Sequence, residues 1–330
     1  MRLRKYQDNP ILLPNEDNDW EKMAVLNPAA WHENGKVYLL YRAAGEMEDY
    51  FIYMGLAEST DGYNFTRVSS DPVFGPTEGE WDGGCVEDPR LVKFGDWFYM
   101  TYAARAYPPE GFNAGRYGDS PPRKTRAWTD NISRSGLARS KDLKNWERLW
   151  PLTDEKDDNR DVIIFPEKID GRYYMLHRPT RAGNVGTDGN PPGIEVAVSD
   201  DMREWEDVGC IAEPREEWEG RKIGGSTPPI RTNEGWLTLY HGVDTDGVYR
   251  VGVMMLDLED PTTVIARSPD YLMEPEAPFE KEGIVSNVCF PCGNVVIDGE
   301  LFVYYGGADK VCCVATAPFQ EMIDYVMQHQ

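Results

Sequence analysis

Short apolar runs separated by polar turns recur along the whole chain. Aromatic and β-branched residues dominate these runs, as in Trp97-Phe98-Tyr99-Met100-Thr101-Tyr102. Runs of this length and composition predict β-strands rather than helices. Five pairs of runs flank a turn that contains glycine, which predicts five tight hairpins. The turn glycines are Gly35, Gly95, Gly171, Gly235 and Gly299, at spacings of 60, 76, 64 and 64 residues.

A third apolar run follows every hairpin, and after three hairpins it contains the pattern Ala-x-Ser-x-Asp-x-x-x-Trp/Phe. The pattern starts at Ala57, Ala138 and Ala197. Five similar units of about four short strands predict an all-β fold, a five-bladed β-propeller in which every unit forms one blade. A pair of β-sandwiches would also contain many short strands, but it does not predict five equal copies. A short helix is expected only at the C-terminus, over 318–327.

The units fit a single catalytic domain that spans residues 1–330. The expected blades lie near residues 20–75, 80–150, 160–210, 222–268 and 284–317. Residues 108–131 interrupt the regular spacing as an insertion loop. The insertion and the residues just before it carry the basic side chains Arg105, Arg116, Arg123, Lys124 and Arg126. We expect a long ordered loop on the open face, because long loops in compact domains are usually functional or disordered.

The charge of the chain restricts its partners. Its 330 residues include 57 Asp and Glu against 34 Lys and Arg, a formal net charge of −23. Such a protein repels phosphate backbones and anionic lipid, so we expect neither nucleic acid nor a membrane as a partner. No apolar run reaches the roughly 20 residues that span a bilayer. The basic N-terminus is not followed by the apolar segment of a secretory signal.

The six cysteines fit a cytoplasmic protein with reduced, mostly packed thiols. Cys289 and Cys292 form a lone CxxC pair, and Cys312 and Cys313 are neighbours on one predicted strand. Because no second pair stands at zinc spacing, we expect no metal site. The oligomeric state stays open, with a homo-oligomer among the options.

Chemistry is predicted where the stretch 85–92 begins the second unit. Glu87 and Asp88 are adjacent carboxylates beside an apolar strand, and their burial is costly unless they are paired or used. In a propeller the first strand of every blade lines the central channel, so the starts of these strands converge. The converging positions are Asn27, Asp88, Phe165 with Lys168, Pro228 and Phe290, and the second strands add Arg42, Arg105, His177, Arg178 and His241. Such polar and aromatic groups suit a carbohydrate, and the cations suit an added anion such as phosphate.

Seven motifs are spread over nearly the whole chain. They are Asn27-Pro28-Ala29 with Tyr41-Arg42-Ala43, Glu87-Asp88-Pro89-Arg90, Phe165-Pro166-Glu167-Lys168, Leu176-His177-Arg178-Pro179, Ile223-Gly224-Gly225 with Pro228-Pro229-Ile230, Tyr240-His241-Gly242-Val243-Asp244, and Tyr304-Tyr305-Gly306-Gly307-Ala308-Asp309. Together they resemble glycoside hydrolase family 130, the β-mannoside phosphorylases and β-mannosidases. The resemblance implies that Asp88 is the single catalytic acid and acts through the 3-hydroxyl of mannose. It implies that the sugar is held by Asn27, Arg42, Asn287 and Asp309. We add His241 because its strand ends at the same channel. It implies that phosphate is held by Arg105, Arg134, Lys168 and Tyr249.

The expected activity is that of an inverting β-mannoside phosphorylase. A β-1,4- or β-1,2-linked manno-oligosaccharide and phosphate would give α-D-mannose 1-phosphate and the remaining sugar. An inverting hydrolase needs a base to activate water, whereas phosphate is already anionic and needs cations that hold it in line. One carboxylate with an Arg/Lys cluster therefore favours phosphorolysis, with inorganic phosphate as co-substrate and no other cofactor. The alternatives are a β-1,2-mannosidase of the same family, with Glu110 or Glu87 as base, and a non-catalytic carbohydrate-binding propeller.

Overall fold

The computed structural model describes residues 1–117, 125–181 and 185–330, so Arg123 and Lys124 lie outside the described residues. The strands of the first half are β1 (Arg4–Lys5), β2 (Ala24–Glu33), β3 (Lys36–Ala44), β4 (Ile52–Ser59), β5 (Thr66–Arg67), β6 (Cys85–Phe94), β7 (Trp97–Arg105), β8 (Arg134–Ser140) and β9 (Trp146–Pro151). Helices α1 (Pro109–Asn113) and α2 (Arg126–Thr129) lie in the insertion. The strands of the second half are β10 (Asp158–Ile164), β11 (Tyr173–Thr180), β12 (Ile194–Ser199), β13 (Glu206–Ala212), β14 (Lys222–Gly225), β15 (Ile230–Arg231), β16 (Trp236–Val243), β17 (Tyr249–Leu256), β18 (Val264–Arg267), β19 (Cys289–Ile297), β20 (Glu300–Gly307) and β21 (Val311–Pro318), with a 3₁₀ turn (Glu217–Glu219) and helices α3 (Pro278–Lys281) and α4 (Phe319–Met327).

Neighbouring strands in sequence are mostly neighbours in the sheets. One sheet has the order β10-β11-β12-β13, and another has β14-β16-β17-β18 with β15 also paired to β16. The runs β2 to β5 and β6 to β9 meet at a single parallel pair, Ile52 with Cys85. In the last sheet the N-terminal strand β1 pairs with β21, so both ends of the chain share one sheet. The protein is therefore all-β, with α4 as the C-terminal helix. No helix in the described ranges is long and apolar enough to cross a membrane.

The hairpins predicted from the five glycine turns are all present. At three of them two consecutive residues are left-handed, with φ between 48° and 80°: Asn34-Gly35, Asp170-Gly171 and Asp298-Gly299. Two such residues in succession give a type I′ turn, whose twist matches that of the paired strands. Asn or Asp followed by Gly tolerates this backbone, which is why the sequence identifies these hairpins.

A dipeptide of one aromatic and one acidic residue precedes four of the units. The dipeptides are Trp20-Glu21, Trp81-Asp82, Trp218-Glu219 and Phe279-Glu280. In each unit the buried carboxylate accepts a hydrogen bond from a second-strand tyrosine (Tyr41, Tyr102, Tyr240 or Tyr305) and pairs with a cation on the outermost strand (Arg67, Arg148, Arg267 or Lys5). We call this set the acid–tyrosine plug. Its charges are paired inside the protein, as burial of a charge requires.

Loss of one plug carboxylate is expected to destabilise the fold. In Glu219→Ala the buried guanidinium of Arg267 and the hydroxyl of Tyr240 lose an acceptor at 2.7 and 2.6 Å. Removal of one partner of a buried pair costs about 3–5 kcal/mol, which urea titration would detect as a lower free energy of unfolding. The exposed neighbour Glu217 provides the control, because Glu217→Ala should change that free energy by less than about 0.5 kcal/mol. Equal losses in the two variants would contradict the plug's role.

Candidate active site

The first strands of three units bend at equivalent polar residues. The register of β6 with β7 shifts between Glu87 and Arg90, and Asp88 between them has a φ of 51°. β2 shifts in the same way at Asn27, with φ 46°, and β10 shifts at Asp161, with φ 56°. A bulge leaves one residue out of the ladder, and Asn and Asp tolerate left-handed backbone better than most side chains. The three bulges therefore present three polar side chains from three units.

Asp88 is held by an amide and two guanidinium groups. Its Oδ1 accepts hydrogen bonds from Asn27 at 2.8 Å and Arg42 at 2.9 Å, and its backbone carbonyl accepts one from Arg90 at 2.7 Å. Burial favours the neutral carboxyl, but the charges of Arg42 and Arg90 outweigh it and hold the pKa of Asp88 below its usual value. A phosphate ion on the neighbouring cations would raise this pKa, which is the direction that proton donation requires.

Asp161 is a buried carboxylate that lies among three basic side chains of the site. The sequence pattern did not predict its role. Its carboxylate accepts a hydrogen bond from Arg178 at 2.7 Å and lies 3.6 Å from both Arg90 and His241. Burial would raise the pKa of Asp161, but the three neighbours favour its charged form and hold that pKa well below the usual range. The first two units mark this position with a following proline, whereas here the next residue is Val162. The bulge that recurs at this position of the first strands is the feature that identifies Asp161.

The bulges open onto an inner cavity of about 240 Å³. Six predicted site residues line it together: Asn27, Arg42, Asp88, His241, Tyr249 and Asp309. His241 stacks on Tyr249 with ring centroids 6.0 Å apart and packs against Phe290 at 4.7 Å. Aromatic rings, carboxylates and an amide that line one cavity can hold a sugar ring by its apolar face and its hydroxyls.

A second cavity of about 350 Å³, the outer cavity, adjoins the inner one and is strongly cationic. Arg160, Arg178 and Lys222 line both cavities. The outer lining adds Arg105, Arg126, Arg181 and Arg221, against the two carboxylates Asp130 and Asp158. This local excess of positive charge, inside a protein of net charge −23, suits an anion such as phosphate. Among the described residues, no group of three or more His, Cys, Asp or Glu side chains could hold a metal ion.

Lys168 lies outside the described linings of both cavities, so the structure does not bring it together with the other residues predicted to hold phosphate. It comes seven residues after Asp161, on the order of 20 Å along an extended chain, and its exposed side chain borders a different cavity with Glu167 and Arg231. Phe165 of the same motif is fully buried and packs edge-on against Trp236. The motif therefore contributes Phe165 to the hydrophobic core and Lys168 to the end of the third hairpin. Lys222 and Arg160 supply the cations beside Asp88 instead.

Two further predicted residues lie outside the described linings of the inner and outer cavities. Arg134 is buried, donates to the carbonyl of Thr153 at 2.8 Å and pairs with Glu155 at 3.1 Å. The backbone carbonyl of Asn287 accepts a hydrogen bond from the backbone N–H of Tyr249 at 3.0 Å. Neither contact places a side chain beside Asp88. Arg105 does line the outer cavity.

Burial shifts the ionisation of three groups that line the inner cavity. Burial and the charges of Asp88 and Glu87 raise the pKa of Asp309 to about 6. Burial and the charges of Arg178 and Arg160 lower the pKa of Lys222 to about 7. Burial also lowers the pKa of His241 to about 3, although Asp161 opposes this. Lys222 is thus only partly charged at neutral pH, and a bound anion would favour its charged form.

Anion affinity is therefore expected to fall above pH 7. Below pH 7 Lys222 is already cationic, but at higher pH the protein must take up a proton to form the charged contact. For sulfate, whose charge is constant in this range, the affinity should decrease towards about tenfold per pH unit. Lys222→Arg keeps its charge, so titration calorimetry should show a flatter profile. Asp309 and His241 have lower pKa values than Lys222, so they do not account for a dependence above pH 7. If sulfate affinity falls with pH equally steeply in both proteins, Lys222 is excluded as the cause.

Comparison with known proteins gives consistent matches over the full chain. The model of the Glyco_hydro_130 family, described as beta-1,4-mannooligosaccharide phosphorylase, matches residues 2–112 and 126–328. A 1,2-beta-oligomannan phosphorylase from Thermoanaerobacter sp. (strain X514) is 40% identical over 328 residues, 98% of this chain and 99% of the relative. A Beta-1,4-mannooligosaccharide phosphorylase from Ruminococcus albus is 30% identical over 98% of this chain and 91% of the relative.

Solved structures agree with these matches. The Beta-1,2-mannobiose phosphorylase of Listeria innocua, solved with beta-1,2-mannobiose, superposes with a TM-score of 0.82 at 26% identity and covers 100% of both chains. A thermostable family-43 glycoside hydrolase shares the fold alone, with a TM-score of 0.59 at 19% identity. With a family model that matches most of the sequence and relatives that span its full length, the chain belongs to glycoside hydrolase family 130.

Proposed function

We propose that this protein is an inverting β-mannoside phosphorylase. The observation that carries the proposal is the cavity pair: Asp88 lies in a sugar-sized inner cavity, and the adjoining outer cavity carries seven cations against two carboxylates. Phosphorolysis needs this combination, because the nucleophile is an anion that has to be held in line with the anomeric carbon. A β-mannosyl sugar and phosphate would give α-D-mannose 1-phosphate and the shortened sugar.

In this proposal Asp88 donates the proton, through the 3-hydroxyl of the bound mannose, to the departing oxygen. Asn27, Arg42, Asp309 and His241 hold the mannosyl ring in the inner cavity. Arg105, Arg160, Arg178, Lys222 and Tyr249 face the phosphate, so that Arg160 and Lys222 replace Lys168 in the role expected from the sequence. Because proton donation needs a neutral Asp88, bound phosphate both supplies the nucleophile and raises the pKa of the acid.

We further propose that the substrate linkage is β-1,2. The relatives of 40% and 38% identity are a 1,2-beta-oligomannan phosphorylase and a Beta-1,2-mannobiose phosphorylase, whereas the β-1,4 enzyme of Ruminococcus albus is 30% identical. We also propose a cytoplasmic enzyme that needs inorganic phosphate and no other cofactor. All six cysteines are free thiols, and five of them are buried, which fits a reducing compartment.

The fold is inferred to be a five-bladed β-propeller. Five hairpins with a third strand each, and bulges at equivalent positions in three first strands, are what five blades around one channel would contain. The pairing of β1 with β21 would then close the ring by completing the last blade with the N-terminus. The likeness to the family-43 enzyme supports the same architecture.

Incubation with β-1,2- and β-1,4-mannobiose, with and without phosphate, tests the proposed function. We expect α-mannose 1-phosphate and mannose from the β-1,2 disaccharide, and only when phosphate is present. Two mannose molecules without phosphate would instead identify a β-mannosidase, with Glu87 or Glu110 as the candidate base. Binding without any turnover would leave the non-catalytic alternative.

A further inference from the structure

Strands β10 and β11 separate the outer cavity from a third cavity on their other side. Successive side chains of a strand point to opposite faces. Asp158, Arg160, Arg178 and Thr180 line the outer cavity, and the residues that alternate with them along the strands, Asn159, His177 and Pro179, line a cavity of about 360 Å³. We call this space the side cavity. Arg181 borders both cavities, so the side cavity lies next to the outer cavity of the candidate active site.

The side cavity occupies the place that the acid–tyrosine plug fills in the other four units. His177 stands at the position of the plug tyrosines, because its register partner Glu195 corresponds to Gly55, which pairs with Tyr41. Asp207 pairs with Ala197 as Arg67 pairs with Ala57, so it replaces the plug cation. No aromatic residue precedes β10 between residues 153 and 158. The third unit therefore lacks the plug, and the space it would fill is open.

The residues that replace the plug, together with Asn159, place polar groups at this space. His177 is 2% exposed, and its Nδ1 lies 3.1 Å from the amide nitrogen of Asn159. Its Nε2 lies 3.3 Å from a carboxylate oxygen of Asp207. The Oδ1 atom of Asn159 is buried and has no partner among the described residues. A buried acceptor without a partner is costly unless a ligand or water completes it.

The negative charge of the side-cavity lining disfavours phosphate as its ligand. Its lining carries the carboxylates Asp154, Asp157, Glu204 and Asp207 against the cations Arg181 and Arg203, the reverse of the balance in the outer cavity. An anion is disfavoured there, whereas a neutral ligand with many hydroxyls can both donate to the carboxylates and accept from His177. The ring of Trp205 adds an apolar surface to the same lining, and one aromatic face with several polar groups suits a sugar.

We propose that the side cavity is a second carbohydrate-binding site, which holds a mannosyl unit of a β-mannooligosaccharide. The identity of the sugar rests on the proposed function, whereas the site itself rests on the missing plug and the unpaired side-chain oxygen of Asn159. A second site beside the mouth of the active site would retain oligosaccharide near Asp88 between turnovers.

Histidine NMR tests this proposal, because the chain has four histidines and one of them lies in each site. β-1,2-Mannobiose is titrated into the protein without phosphate, so that no phosphorolysis occurs. We expect the imidazole resonances of His177 and His241 to shift with separate saturation curves, the His177 signal being assigned by its loss in His177→Gln. Asp207→Arg introduces a cation like those of the acid–tyrosine plugs in the other four units. This variant should raise the mannobiose concentration that half-saturates the His177 shift about tenfold. The curve at His241 should stay unchanged.

The control is Asp200→Arg, the same charge change at an exposed residue outside the side-cavity lining, which should leave both curves as they are. A silent His177 at sugar concentrations that saturate His241 would overturn the second site while the proposed function stands. An unaltered His177 curve in Asp207→Arg would overturn it as well. A His177 response in a protein without phosphate-dependent turnover would support the second site and sink the proposed function.

Discussion

Asp88→Asn is expected to lower the rate of phosphorolysis by about 10²–10⁴-fold, the usual contribution of a general acid. The substitution removes the proton and keeps the shape. Asn is tolerated at the φ of 51° that Asp88 adopts, and its side-chain oxygen can still accept from Asn27 and Arg42. The folded state should therefore persist, as checked by an unchanged thermal unfolding midpoint. Activity of the variant is measured as phosphate-dependent release of mannose 1-phosphate.

Two comparisons separate an acid from a binding residue. A β-mannoside with a good leaving group needs no proton, so Asp88→Asn should lose far less activity on it than on mannobiose. Asp309→Asn is the matched variant, because Asp309 also has a left-handed backbone, with φ 52°, in the same cavity. It should raise KM for the sugar more than it lowers kcat. The opposite pattern would identify Asp309, whose pKa is raised to about 6, as the proton donor.

Lys222→Met is expected to reduce kcat/KM for phosphate by roughly 30-fold, about 2 kcal/mol, the lower end of the cost of removing one partner of a buried charge pair. Lys222 borders the inner and the outer cavity, where the charges of Arg178 and Arg160 oppose its own and that of Asp161 favours it. Its closest aromatic contact places Nζ 5.3 Å from the centroid of the Tyr249 ring. Methionine preserves the unbranched shape, so the loss should report the charge alone.

Lys168→Met is the control for this variant, since the same chemical change is made at an exposed lysine in a different cavity. We expect less than about a twofold change in kcat/KM for phosphate, because a surface charge contributes little. Steady-state kinetics at varied phosphate concentration measure both variants. A larger loss in Lys168→Met than in Lys222→Met would restore the assignment made from the Phe165-Pro166-Glu167-Lys168 motif and contradict the geometry.

Local sequence patterns determined most of the strand order. Each hairpin depends on a glycine turn between apolar runs, and turn type and alternation are properties of a few neighbouring residues. The same reasoning located Asp88 and Asn27, since the proline that follows each of them marks the bulge. The family was also recognisable from its motifs, because these are contiguous stretches of the chain.

The cation set and the third unit were decided by tertiary structure. Lys222, Arg160 and Asp161 meet Asp88 only when separate sheets come together, and Val162 gives no local sign of the bulge before it. Conversely, Lys168 lies in a matching motif but beyond the end of β10. A motif specifies neighbours along the chain and not the position of those residues within the site. The side cavity likewise follows from the absence of a plug, which is visible only after the five units are compared in three dimensions. The sequence by itself thus determined the strands, the family and the candidate acid, whereas packing between units decided which charges surround that acid.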